Sequence, residues 1–226
     1  MASFSWKKVT GWSGIAFAVV FVVSSAFVAD SPSLGDPATE VRRWLDSHEA
    51  AIAWTTWGGG LSLGFLFLLF ASGLRGHLAP SDEDHAGVWT RLSFAGAVTM
   101  AGLGLAKAAF WAVLSLDEIR SATSDGTVKA LAAFDGVAVG ALVPWAAATF
   151  LLGASVVILH SHVMPRWLGW LGILATVAFV VGTLWIFTGD IEGPLAALTL
   201  VGYTGFLVFS VGAAISLIRS PNPLDS

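Results

Sequence analysis

Two ionisable residues stand where this sequence is otherwise apolar. Lys107 is flanked by Leu105, Ala106, Ala108 and Ala109, and Asp135 sits between Phe134 and Gly136 at the head of another apolar run. A charge in such surroundings is costly unless it is paired or used, so each is a functional hypothesis by default. One chemistry is a proton or ion relay, or an anchor for a charged ligand group. The other is a structural ion pair, or a lysine whose stem carries its ammonium out to an interface. Lys107 lies ten residues before Asp117, and Asp135 lies ten residues after Asp125. Equal offsets across one hairpin put the two at similar depth if both arms are helical. Counting instead from Arg91 and His160 at the far ends disagrees by about a turn, which tilt or a kink at Pro144 absorbs.

Pro144 and Trp145 follow Asp135 within the same run. Proline cannot donate to a helix ladder, so a break there frees carbonyls beside a large ring, and Thr149, one turn on, is placed to satisfy part of that need. The site is either a ligand cavity or a packed kink. Lys107, Asp135, Pro144 and Trp145 together form a candidate ligand or ion path. Gly136 and Gly140 make a small-xxx-small pattern, and the glycines at 58–60, 64, 96, 102 and 104 similarly suggest close helix approach.

His77, His85, His160 and His162 fall in segments assigned to one side of the molecule, with Asp82, Glu83 and Asp84. Imidazoles and carboxylates in that mixture are a candidate site for zinc or a similar ion. The spacing fixes no geometry, and histidines at helix ends also meet the helix dipole favourably. No histidine lies in a span interior where haem could be held. The sequence has no paired-carboxylate motif within a span, no Gly-x-Ser-x-Gly, no His-Glu-x-x-His and no phosphate loop. No catalytic residue and no cofactor is therefore assigned. With 0 Cys, thiolate metal sites and cysteine nucleophiles are excluded.

The elements that must hold these groups follow from composition. Apolar residues make up 56% of the chain and charged ones 12%, and the mean hydropathy is +0.79. A soluble domain carries about 25% charged residues, so much of this surface must face lipid. The 11 Trp and 25 Gly agree, Trp favouring membrane interfaces and Gly being frequent in spanning helices. A net charge of −4 argues against nucleic acid as a partner.

Six segments approach the roughly 20 apolar residues needed to cross a hydrocarbon core: residues 9–29, 51–74, 92–114, 138–159, 167–188 and 195–218. Backbone in lipid must bond to itself, so these are helices. The first follows Lys7 and Lys8 and resembles a signal peptide, but its apolar run exceeds a usual h-region and it is read as a retained helix. Residues 1–226 are read as one transmembrane domain. Lys7, Lys8, Arg75, Arg91, Arg166 and Arg219 fall on one side, and Arg42, Arg43, Arg120 and Lys129 on the other. This bias, and the lysines before the first span, make both termini cytoplasmic. Asp30, Asp36, Glu40, Asp46, Glu49, Asp117, Glu118, Asp125, Asp190 and Glu192 then make an acidic outer face. Trp12, Trp89, Trp167 and Trp170 mark cytoplasmic helix ends, and Trp44, Trp54, Trp57 and Trp185 mark outer ones, with Trp145 the exception near mid-membrane.

Asp36-Pro37 reads as an N-cap followed by a first helical residue. Val41, Trp44 and Leu45 share one side of the next stretch, predicting an amphipathic helix over residues 37–50 on the outer surface. His77-Leu78-Ala79-Pro80 and His162-Val163-Met164-Pro165 are each followed by Trp and Arg, a pattern suited to a parallel two-helix repeat.

Three stretches carry a family likeness: Arg43-Trp44-Leu45-Asp46-Ser47-His48 with the second span's ending Ala71-Ser72-Gly73-Leu74-Arg75-Gly76-His77-Leu78, then Ala133-Phe134-Asp135-Gly136, and Met164-Pro165-Arg166-Trp167-Leu168-Gly169-Trp170-Leu171-Gly172. In these the chain resembles a group of uncharacterised actinobacterial six-helix membrane proteins, a bacterial domain-of-unknown-function group. The resemblance implies six helices in a bacterial plasma membrane and carries no functional residues.

The expectation is an all-α polytopic bundle of about six transmembrane helices in the inner membrane, non-enzymatic. Its partners are the lipid bilayer and either a membrane protein, a second copy or a lipophilic small molecule. The alternative is a small proton- or cation-coupled transporter or channel using Lys107 and Asp135.

Overall fold

The structure, a computed structural model, describes residues 5–32, 36–190 and 193–220, and within them all side chains but those of Asp84 and His85. Among the described residues, six helices are long and apolar enough to cross a membrane. The first is α1 (Trp6–Ala26), followed by the short α2 (Ala38–Ser47). The second span is composite: α3 (Glu49–Gly59), a π-helical stretch (Gly60–Phe67) and α4 (Leu68–Leu78), ending in the 3-10 turn Ala79–His85. The third is α5 (Val88–Leu114). After α6 (Asp117–Ala122), the fourth is again composite, with α7 (Asp125–Val137), a π-helical stretch (Ala138–Leu142) and α8 (Val143–Ser161). The fifth is α9 (Arg166–Gly182), with the single turn α10 (Trp185–Thr188) behind it, and the sixth is α11 (Pro194–Arg219).

Helix α1 begins and α11 ends on the same side, Gly11 lying against Ala214 and Ile218. That end is the terminal side; α2 and α6 define the opposite, cap side. The fourth helix starts well before its apolar run at residue 138. Ser124 caps it by accepting from the Thr127 backbone N–H, and Asp125 adds a negative charge to the first turn. At 1.5 Å per residue, the 37 residues of Asp125–Ser161 measure about 55 Å against a hydrocarbon core of about 30 Å. The surplus carries the cap. The helix expected over residues 37–50 divides at His48, whose φ of −124° and ψ of 21° leave the helical region and close α2.

Helix α8 is the centre of the bundle: 67% of its apolar window is buried, against 22–39% for the other spans. Association of helices in lipid lacks the hydrophobic gain available in water and relies on close packing at small residues. Gly96 of α5 is such a point, since a Cβ there would fall 2.5 Å from the Phe150 nitrogen. Gly153 of α8 repeats the device against Trp89 and Ser93. Around α8 the rings of Phe17, Phe67, Phe150, Phe206 and Phe209 interlock, with centroids 4.9 Å apart for Phe17 and Phe67 and 5.3 Å for Phe67 and Phe150.

Candidate functional site

The close contact of α5 with α8 sets the register of the two ionisable residues. Gly96 lies against Ala146 and Phe150. Lys107 is eleven residues toward the cap from Gly96, and Asp135 is eleven residues toward the cap from Ala146. Antiparallel helices of equal rise therefore bring them level, and Lys107 Nζ stands 3.2 Å from Asp135 Oδ1, the side chains 32% and 21% exposed. Oδ1 lacks a partner in hydrogen-bond geometry, so the contact is one of charge more than of an aligned bond. The turn of disagreement in the sequence count has a structural cause. Gly153 faces Trp89 and Ser93, so Arg91 is level with Gly153 and α8 extends beyond it as far as Ser161.

One turn from Asp135 begins the π-helical stretch, and its position follows from Pro144. Without an N–H, Pro144 leaves the carbonyls four and five residues back, on Gly140 and Val139, short of a helical donor. Both are met by side chains from other spans: Trp185 Nε1 donates to Gly140 O at 2.9 Å, and the Tyr203 hydroxyl donates to Val139 O at 2.8 Å. Trp185 and Tyr203 are distant in sequence from Asp135 and Pro144, and no local motif ties them to this site. One signal was available, since Tyr203 is the single Tyr of the chain and lies inside an apolar span, where a hydroxyl needs a partner. Thr149 bonds the Trp145 carbonyl at 2.8 Å and so does not serve the freed ones. Pro144 is buried where the π-helical stretch passes into α8, while Trp145 is 51% exposed.

The cap closes over this node. Val41, Trp44 and Leu45 of α2 are buried with Ile52, Leu114 and Val128, and Trp111 and Leu131 pack against them. Trp111 lies one turn capward of Lys107, and Leu131 one turn capward of Asp135. Helix α2 thus rests on protein. Two arginines fasten it. Arg42 reaches Asp125 at 2.8 Å and donates to the Arg120 carbonyl at 2.6 Å and the Thr123 carbonyl, which satisfies the end of α6. Arg120, its side chain 9% exposed, reaches back to Asp46 at 2.9 Å, Glu49 at 3.2 Å and Asp117.

His77 Nε2 has no hydrogen-bond partner among the described residues, His160 Nδ1 contacts its own helix at Val156 O (2.8 Å), and His162 adopts a left-handed φ of 59° at the end of α8. The side chain of His85 lies outside the described residues. Among those described, no three His, Asp or Glu side chains gather to hold a metal.

A larger feature is lined by none of these residues. Helices α1 and α11 and the start of α9 border an open groove of about 1060 Å³ along the flank of the bundle. Val19, Val22, Leu207, Val208 and Val211 line its length, and Trp167, Arg219 and Ser220 stand at its terminal-side end. Small-molecule sites are commonly about 300–1,000 Å³, predominantly apolar with a few polar groups.

Six spans packed on small residues, with an apolar flank and a water-side cap, define a multi-pass helical membrane protein. The chain belongs to the family described as Domain of unknown function (DUF4386), whose model matches residues 9–211. No curated protein and no solved structure matches it.

Proposed function

We propose that this chain is a non-catalytic multi-pass protein of a bacterial plasma membrane, with both termini cytoplasmic, that holds a lipophilic ligand in the groove between α1, α9 and α11. The groove carries the reading: an apolar concavity of about 1060 Å³ that opens where lipid-soluble molecules are concentrated. Lys7 and Lys8 in the first turn of α1 support the orientation. Val208 lines the groove and is 48% exposed, so Val208→Trp fills it with little disturbance of the bundle. Native mass spectrometry of purified protein is expected to find a co-purified lipophile on the wild type and none on Val208→Trp. A ligand-free wild type, or equal occupancy of the variant, removes the groove as a site.

A second reading, a proton- or cation-coupled transporter or channel, is favoured by the Lys107–Asp135 contact beside a π-helical stretch, since intramembrane charges often mark ion pathways. Liposome flux is its test. The groove reading predicts no flux that depends on the pair; a flux abolished by Lys107→Ala and by Asp135→Asn would reverse the preference.

A further inference from the structure

We infer that the occupant of the groove is an anionic phospholipid of the surrounding leaflet, its head held at Arg219 and its tail laid along α11; this rests on the groove reading above. Three features carry it.

The first is charge. On the cap side, Lys107, Arg42 and Arg120 meet carboxylates, at 3.2, 2.8 and 2.9 Å. Arg219 lines the groove, is exposed, and meets no acid among the described residues. A guanidinium binds phosphate with two parallel N–H donors, which suits a phosphodiester head.

The second is length. From Leu207, the lining residue of α11 farthest from Arg219, to Arg219 is twelve residues. At 1.5 Å per residue this is about 18 Å, slightly more than half a hydrocarbon core of about 30 Å. An amphiphile with its head at Arg219 therefore reaches Leu207 with a tail of one leaflet's depth.

The third is the distribution of polarity. Apart from Arg219, the polar side chains at that end are Ser216, Ser220 and the indole of Trp167, while Val19, Val22, Val208 and Val211 line the rest. The Ser220 hydroxyl is already donated to the Ser216 carbonyl at 2.9 Å. Arg219 thus supplies the charge, and Trp167 has the amphipathic ring found at headgroup level.

The experiment offers the purified full chain, in detergent, equimolar phosphatidylglycerol and phosphatidylcholine of the same chains, and in a separate arm oleate. Retention is read by native mass spectrometry. Wild type is expected to retain phosphatidylglycerol about fivefold over phosphatidylcholine, the effect of one cation near a headgroup. Arg219→Ala should bring the ratio to about one, and Arg219→Lys should preserve most of it. Arg91→Ala, an exposed cation at the same side outside the groove, should leave the ratio unchanged. The inference falls if Arg219→Ala keeps the preference, if Arg91→Ala loses it equally, or if oleate is retained as well as phosphatidylglycerol. Loss of both phospholipids in Val208→Trp with no headgroup preference in wild type overturns the anionic head while leaving the groove. Absence of any retained lipid on wild type overturns both.

Discussion

The bundle around α8 and the cap of α2 and α6 are held together by different physics. Around α8 the contacts are glycine against backbone and phenylalanine against phenylalanine, with Gly96 on Phe150 and Phe67 on Phe150. In the cap, an amphipathic helix buries Val41, Trp44 and Leu45, and two ion pairs, Arg42 with Asp125 and Arg120 with Asp46, tie it to the neighbouring helices. The contrast follows the solvent. Helices surrounded by lipid gain little from hiding leucine from leucine-like tails, so only closer packing favours association. Where the helices rise out of lipid, the hydrophobic effect operates again and apolar burial stabilises as it does in a soluble protein. The Lys107–Asp135 pair lies just below the cap's apolar core and belongs wholly to neither regime.

Substitutions in each region should separate the two. The largest effect is expected from Gly96→Leu, which drives a side chain into the α8 backbone. It should cost about 3 kcal/mol or more, seen as loss of folded protein in a detergent unfolding titration, because backbone cannot repack as a flexible side chain can. An unchanged midpoint would remove close backbone approach as the basis of bundle packing. Arg120→Ala comes next. Its partners are 51–78% exposed, which discounts each pair, so about 1–2 kcal/mol is expected. The loss should be local: hydrogen exchange should accelerate in α2 and leave α8 protected. Exchange rising equally in both would show the cap and bundle to be one cooperative unit.

Tyr203→Phe deletes the donor to Val139 and should cost about 1 kcal/mol. Its effect should be concentrated in exchange of the amides around the π-helical stretch, and Trp185→Phe should act on the same amides through Gly140. The smallest effect belongs to the ion pair. A double-mutant cycle of Lys107→Met and Asp135→Asn should give a coupling of about 0.5–1 kcal/mol, because the contact is partly exposed and poorly aligned. A coupling several times larger would mean that the pair organises the bundle.

Hydropathy by itself determined that the chain is a bundle of about six spanning helices, because lipid admits few other ways to satisfy a backbone. Equal offsets from one hairpin placed Lys107 and Asp135 level while the count from Arg91 and His160 differed by a turn, and only the seating of Gly96 on Ala146 and Phe150 decided between the two. The amphipathic stripe of α2 was legible too, but its destination was not: a period of apolar residues is the same whether it meets lipid headgroups or Leu114 and Val128. Pro144 announced that carbonyls would be freed. Only the packing of distant spans decided that Trp185 and Tyr203 would meet them and that Trp145 would face outward. The four histidines shared a predicted side, yet side does not fix separation, and among the described residues they do not converge. The groove was invisible, because Val19, Val208 and Trp167 lie on three helices and each reads alone as ordinary lipid-facing sequence. Periodicity and proline chemistry act within a few residues of the chain and can be read from it. A concavity and a donor from another span exist only once the helices have chosen their neighbours.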